Sequence, residues 1–265
     1  MILSQYGVIA SSGGSSYDPN AQAFFTASGI TDLTQKTAIN QFVLDLKSNS
    51  LWTLGKFLNF GFLGDSTRVK YNFFSPLDLD SSYRLSFSSG FTFSANGIQG
   101  NGVSSYIRTY FTPSNVFDIN HGTYGFYSRT NQLRTEADMG AYLIGPSISG
   151  FHTDGPGNNQ YYELNTHNWY NVHLNNINTS GNHLVTRTSS ANARAFRNGV
   201  KIQTNTAPTN INQTNEIYLA SMNGLGYSSS KQYTLFYCFD GLSDAQAVLL
   251  DNCIQTLMTT LGLNV

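Results

Sequence analysis

The chain has 265 residues, with 14 Lys or Arg against 15 Asp or Glu, giving a formal net charge of -1. Only 11% of residues are charged, while 40% are hydrophobic and 14% aromatic. That balance provides a sizeable core and leaves no basic patch for nucleic acid, and the chain contains no run of about 20 apolar residues to span a membrane.

The N-terminus, "MILSQYGVIASSGGSSYDP", lacks a basic n-region and a long apolar run, so no signal peptide is expected. Residues 1–17 read as an extended arm, with "SSGGSS" as a flexible linker. Residues 18–50 form a helical segment. Asp18 is placed as an N-cap before Pro19, and Gly29 closes the first helix. Asp32 with Gln35 resembles a capping box for the second, and Ile39, Phe42, Val43 and Leu46 make one apolar stripe. Residues 51–80 are aromatic and broken by glycines, which predicts a partly buried connection with one or two short strands.

From Tyr83 onward, strand signals recur with turn residues between them. They are "YRLSFSS", "SSYIRTYF", "GTYGFYSRT", "ADMGAYLIG", "WYNVHLN", "HLVTRTS", "ARAFRNGVKIQT", "NEIYLAS" and "QYTLFYCF". Tyr106, Arg108 and Tyr110 share one face; Tyr170, Val172 and Leu174 share another. Asn198-Gly199 supplies the two positive φ angles of a type I′ hairpin turn. A closing helix over 243–261 follows: Ser243 caps it with Gln246, Leu250 to Leu261 form its stripe, and Gly262 ends it. Such a stripe needs cover, either from the N-terminal helices or from a neighbouring subunit. Cys238 and Cys253 read as two buried thiols, with a bridge between them as the alternative.

Many antiparallel strands without crossover helices imply a mainly β fold, a two-sheet sandwich or barrel. The ordered landmarks "NGIQGNGVSSYIRTYF", "TYGFYSRT", "HNWYNVHL", "ARAFRNGVKI" and "YCFDGLSDAQAVLL" resemble those of concanavalin-A-like and laminin-G-like jelly-roll sandwiches. The resemblance covers roughly residues 83–255 and implies a two-sheet antiparallel jelly roll over 51–265, with two short N-terminal helices and a C-terminal helix. Phe126 stands where the family has Trp, and Gln246 where it has Glu. The family position of Trp169 points it into the core. The helical segment 21–52, the jelly roll and "GLSDAQ" together resemble lectin-like structural proteins of tailed bacteriophages.

Hydrolases on this fold carry clustered carboxylates, because a nucleophile and an acid must flank the scissile bond. Glu136 and Asp138 share a strand face, but the further Glu is missing, so they are read as solvent-side or hydrogen-bonding residues. No pair among His121, His152, His167, His173 and His183 has zinc-type spacing, and no Ser–His–Asp or phosphate-loop signature occurs. No catalytic residue, metal or cofactor is assigned, and the chain is expected not to be an enzyme. "FHTDGPGNNQYYELN" is read as a glycine-rich polar loop and the best sugar-site candidate, through Asp154, Asn158, Asn159 and Tyr161.

What the resemblance implies is a non-enzymatic virion protein, a capsid decoration or tail fibre, made in the host cytoplasm and present in many copies. It would attach to other virion proteins through its arm and helices and offer a lectin-like domain to glycans. The alternative is a polysaccharide-degrading enzyme on a concanavalin-like fold.

Overall fold

The computed structural model describes residues 17–143, 147–154, 159–166, 174–175, 178–223 and 226–265. The expected arm therefore falls almost wholly outside the described residues, as do Trp169 and the 170–172 positions.

Helices α1 (Pro19–Ser28) and α2 (Leu33–Ser48) lie where the capping signals put them. The Asp18 carboxylate accepts from the Asn20 N–H, and Gly29 ends α1 at φ 67°. At α2, Asp32 accepts from the Gln35 N–H, but the box is not reciprocal: the Gln35 amide donates to the Phe62 carbonyl. The 51–80 connection holds β1 (Gly55–Phe60) and a single-turn helix α3 (Ser66–Val69).

Next come β2 (Ser86–Phe87), β3 (Thr92–Ser94), β4 (Gly97–Gln99), β5 (Ile107–Arg108), β6 (Gly122–Ser128), β7 (Glu136–Leu143), β8 (Ser147–Asp154), β9 (Asn159–Thr166) and β10 (Leu174–Asn175). The chain closes with β11 (Gly181–Arg187), β12 (Ala193–Arg197), β13 (Val200–Asn205), β14 (Tyr218–Leu219), β15 (Gln232–Phe239) and α4 (Asp244–Thr260). They build two antiparallel sheets. The eight-stranded sheet runs β13-β12-β11-β6-β15-β4-β3, with β1 also on β15; the seven-stranded sheet runs β10-β9-β8-β7-β14-β5-β2. The result is a mainly β, jelly-roll-like sandwich. Asn198 (φ 46°) and Gly199 (φ 72°) make the expected turn between β12 and β13.

Four sequence expectations change. "YRLSFSS" shrinks to β2 because Tyr83 takes a left-handed φ of 59°. "SSYIRTYF" shrinks to β5 because Tyr110 turns at φ 56° and the Asn101 side-chain oxygen gathers the N–H groups of Val103, Ser104 and Ser105 into a local turn. "NEIYLAS" shrinks to β14 because Ala220 turns out of the strand at φ 52°. The supposed loop at 151–165 is mostly strand, β8 and β9 joined as a hairpin. Its polar residues concealed the alternation, since both faces of β9 are buried: Gln160 is 0% exposed and Glu163 1%.

The two inner faces meet in an aromatic core. Phe126 of β6 packs its ring 5.1 Å from Phe151 of β8 and 5.8 Å from Tyr233 of β15. The outer face of the eight-stranded sheet is covered by helices. Phe60 of β1 meets Phe24 of α1 and Phe42 of α2 edge-on, at 5.4 and 6.1 Å. Helix α4 packs on α2 and β11, and its Asp251 accepts from the Asn182 side chain of β11 at 2.7 Å. The stripe from Leu250 to Met258 is buried, with α2 of the same chain packed against α4, the first of the two covers that the sequence left open. On this face Tyr237 lies across Gly125 of the neighbouring strand, where a Cβ would come within 2.1 Å of the ring. Cys238 and Cys253 are both buried and free.

The Ser243 cap is complete. Its hydroxyl accepts from the Gln246 N–H while the Gln246 side chain accepts from the Ser243 N–H. Ser243→Ala is expected to lower stability by about 1 kcal/mol, read as a shift in the urea midpoint with an unchanged slope. An unshifted midpoint would show that α4 is held by its stripe alone.

Candidate functional site

The helices pack on the eight-stranded sheet. On the seven-stranded sheet, beside β14, lies a cleft of about 500 Å³, bordered by the 102–106 loop, by Tyr218 and by residues 221–223 and 226–228. Two features of the sequence make this shape. The Asn101 turn holds the first wall, and the loop N–H of Gly102 donates to the Ser229 carbonyl. The left-handed Ala220 throws the second wall outward, pinned by the Ala220 N–H to the Asp138 carbonyl.

Three tyrosines line the cleft. Tyr106 lies flat on Tyr218, with centroids 5.0 Å apart and planes 9° from parallel. Tyr106 is 38% exposed and Tyr227 37%, so both keep accessible ring surface. The remaining lining is mostly hydroxyl, amide and apolar groups, such as Ser104, Thr135, Ser228, Asn223 and Val103; among the described residues none that lines the cleft is charged. Asn223 is fixed at both ends: its amide donates to the Glu216 carbonyl and its N–H to the Gly140 carbonyl. Beside the cleft, Arg108 is paired with Glu216 at 2.8 Å and sits over the Tyr110 ring at 4.6 Å. The Glu216 carboxylate beside it holds the Arg108 guanidinium above its ordinary range. Of the expected trio, Arg108 stays with Tyr110, while Tyr106 stacks on Tyr218 instead.

The residues singled out in the 151–165 segment lie apart from this cleft. Asp154 ends β8 and Asn159 begins β9, facing each other in register at the mouth of the hairpin; Asn158 is outside the described residues. Tyr161 is buried, with its ring parallel to His152 at 4.2 Å. His152 is in turn parallel to Tyr227 at 6.0 Å, so a row of rings connects Tyr161 to the cleft wall. Burial and the charge of Lys231 push the His152 imidazole down to about 4 and keep it neutral in this row.

Glu136 and Asp138 are hydrogen-bonded, but they are not on the solvent side: they are 2% and 0% exposed. Among the described residues no group of three or more His, Cys, Asp or Glu is placed to hold a metal, and no helix is long and apolar enough to cross a membrane. Tyr218 lay in the strand run "NEIYLAS" but was not singled out there, and Tyr227 belongs to no strand run. Tyr106 was visible on its strand face, but its partner lay 112 positions away.

No family model matches the chain, and no curated protein matches it. Among solved structures it is similar to a Trypanosoma rangeli sialidase in complex with sialic acid, at 11% identity and a TM-score of 0.51, covering 83% of this chain and 39% of that one. It is similar to a mutant of the same sialidase displaying trans-sialidase activity, at 12% identity and a TM-score of 0.50, with 83% and 39% covered. A third is domain 4 of an extracellular arabinanase from Geobacillus stearothermophilus in complex with arabinotriose, at 11% identity and a TM-score of 0.45, covering 74% of this chain and 99% of that domain. The chain therefore spans about two fifths of the length of the sialidases it matches. At these identities the likeness is one of fold. It corrects one expectation: the chain was read as a non-enzyme, yet the sialidase structures it matches are those of enzymes, so that exclusion does not stand. The sialidase matches agree with this chain in fold, a jelly-roll-like β-sandwich.

Proposed function

We propose that this chain recognises glycans through the tyrosine cleft on its seven-stranded sheet. The observation that carries this reading is the pairing of two partly exposed tyrosine rings with a lining free of charge. A sugar ring offers an apolar C–H face to an aromatic surface and hydroxyls to amides and Ser or Thr. A cavity of this size accommodates a mono- or disaccharide. An uncharged lining suits neutral sugars better than anionic ones. The resemblance of the 21–52 segment and the "GLSDAQ" ending to phage structural proteins supplies the setting: many copies on a virion, with the helical side toward the particle and the cleft outward. Repetition would raise weak single-site binding through effective concentration.

The test is binding of the multimerised protein to arrayed neutral and acidic oligosaccharides, with sugar release measured in parallel. Tyr106→Ala and Tyr227→Ala are each expected to weaken binding about five- to tenfold, near 1 kcal/mol, with little change in thermal midpoint. Silence on neutral glycans by the native protein would end the proposal. Release of sugar would make the cleft a hydrolytic site instead.

A further inference from the structure

The sandwich interior contains an ion pair that glycan binding does not use. Lys231, just before β15, and Asp138, on β7, are both 0% exposed, and Lys231 Nζ lies 2.8 Å from Asp138 Oδ1. The two residues belong to opposite sheets, so the pair bridges the core. A pair this deeply enclosed costs several kcal/mol per ion in lost hydration. The second carboxylate oxygen of Asp138 has no hydrogen-bond partner.

The surroundings form a relay. Tyr233 donates its phenol proton to Asp138 Oδ1 at 2.7 Å, and the Tyr233 and Ser229 hydroxyls are 2.6 Å apart. Ser229 bonds Glu136 Oε2 at 3.2 Å, and Ser230 bonds Glu136 Oε1 at 2.6 Å. Arg134, on the surface, lies 3.8 Å from that same Glu136 oxygen, so the relay leads from the pair toward solvent.

We infer that Lys231 and Asp138 join covalently, as a self-formed amide bond that ties the two sheets together. Within the pair the ammonium proton passes to the carboxylate, leaving a neutral amine and a carboxylic acid. Burial favours this direction, because it pushes the Asp138 carboxyl up from its ordinary value. The amine nitrogen, 2.8 Å from Oδ1, attacks the neighbouring Asp138 carboxyl carbon. The N–C bond forms, one C–O bond breaks, and the departing hydroxyl takes a proton from the Tyr233–Ser229–Glu136 relay. The nitrogen gives up a proton to the same relay. One ammonium and one carboxylate become one amide and one water, with no oxidant or reductant. In water the ionised groups would resist condensation; the dry core removes that resistance and loses two buried charges. Glu136 is a positioning residue, acting through Ser229 and Tyr233.

Intact-mass spectrometry of the full, folded chain is the test. The wild-type protein is expected to be lighter than its sequence by one water, and digestion should yield a branched peptide joining Lys231 to Asp138. Lys231→Arg keeps the charge but should restore the full mass. If that variant does not fold, Asp138→Asn gives a second arm, since the same attack would expel ammonia and change the mass by that amount. Glu136→Gln should slow the mass loss at least tenfold after fresh synthesis. A folded wild-type chain at full mass overturns the inference, as does a lost water mapped to other residues. An unchanged rate in Glu136→Gln overturns the relay.

Discussion

Replacing Phe60 with Ala is expected to remove about 3–5 kcal/mol of stability, a large fraction of an ordinary native margin. Phe60 is fully buried at the junction of sheet and helices. Its ring is 4.8 Å from Phe73, 5.3 Å from Phe62, 5.4 Å from Phe24 and 6.1 Å from Phe42. These rings come from α1, α2, β1 and the segments after it, and they attach the helical layer to the sheet. Truncation therefore opens one cavity among several elements that cannot all collapse into it. Leu33→Ala, at a residue 69% exposed at the start of α2, is the matching control and should move stability by less than about 0.5 kcal/mol. Urea denaturation of both variants gives the comparison. A Phe60→Ala loss as small as that of the control would mean that the helices are held to the sheet elsewhere.

The helical layer was legible because its signals are local. Asp18, Pro19 and Gly29 fix α1 within a dozen positions, and Ser243 with Gln246 fixes the start of α4. The stripe on α4 also said that something had to cover it, and α2 does. The strands were legible where strand-favouring aromatics run together, as in β6 and β15. They were lost where polar residues fill buried positions, as in β8 and β9, or where a left-handed residue cut a promising run short, as at Tyr110 and Ala220.

The cleft was hardly legible at all. Tyr106, Tyr218 and Tyr227 come from three separate segments, and nothing in the spacing joins them. The polar stretch at 151–165 drew attention because it is rich in Asn, Gly and Tyr. Its Tyr161 instead backs the row of rings behind Tyr227. The Lys231–Asp138 pair was equally hidden: a lone lysine before an aromatic strand reads as a solvated charge until the opposite sheet is known. Exposed chemistry and buried chemistry thus shared one cause for being missed. Both depend on β7 and the 216–233 segment meeting across a turn that only tertiary structure defines.

Stability should peak near pH 6.5 and fall on both sides, because buried groups of opposite kind titrate differently in the folded and unfolded chain. His183 is fully buried, stacked on Phe126 at 5.0 Å, with Nδ1 2.7 Å from the Tyr162 hydroxyl. Burial pushes it down to about 3, and burial takes His152 to about 4. From pH 6.5 downward the unfolded chain takes up protons that the folded chain refuses, so both groups withdraw stability on acidification. Glu163 has the opposite sign: burial raises it to about 8, so the folded chain holds a proton there that the unfolded chain has lost above pH 4.5. Between pH 6.5 and 4.5 the two histidines outweigh the one glutamic acid by a net proton, costing about 1.4 kcal/mol per pH unit. Between pH 6.5 and 8 Glu163 acts alone, and stability falls with rising pH at a similar slope. Urea unfolding at intervals from pH 4.5 to 8 should trace this dome. Glu163→Gln should flatten the alkaline limb and steepen the acid limb toward two protons, while His183→Gln should flatten the acid limb. A profile that is flat from pH 5 to 8 would show that water reaches these three side chains in the folded protein and that the core is less dry than its packing implies.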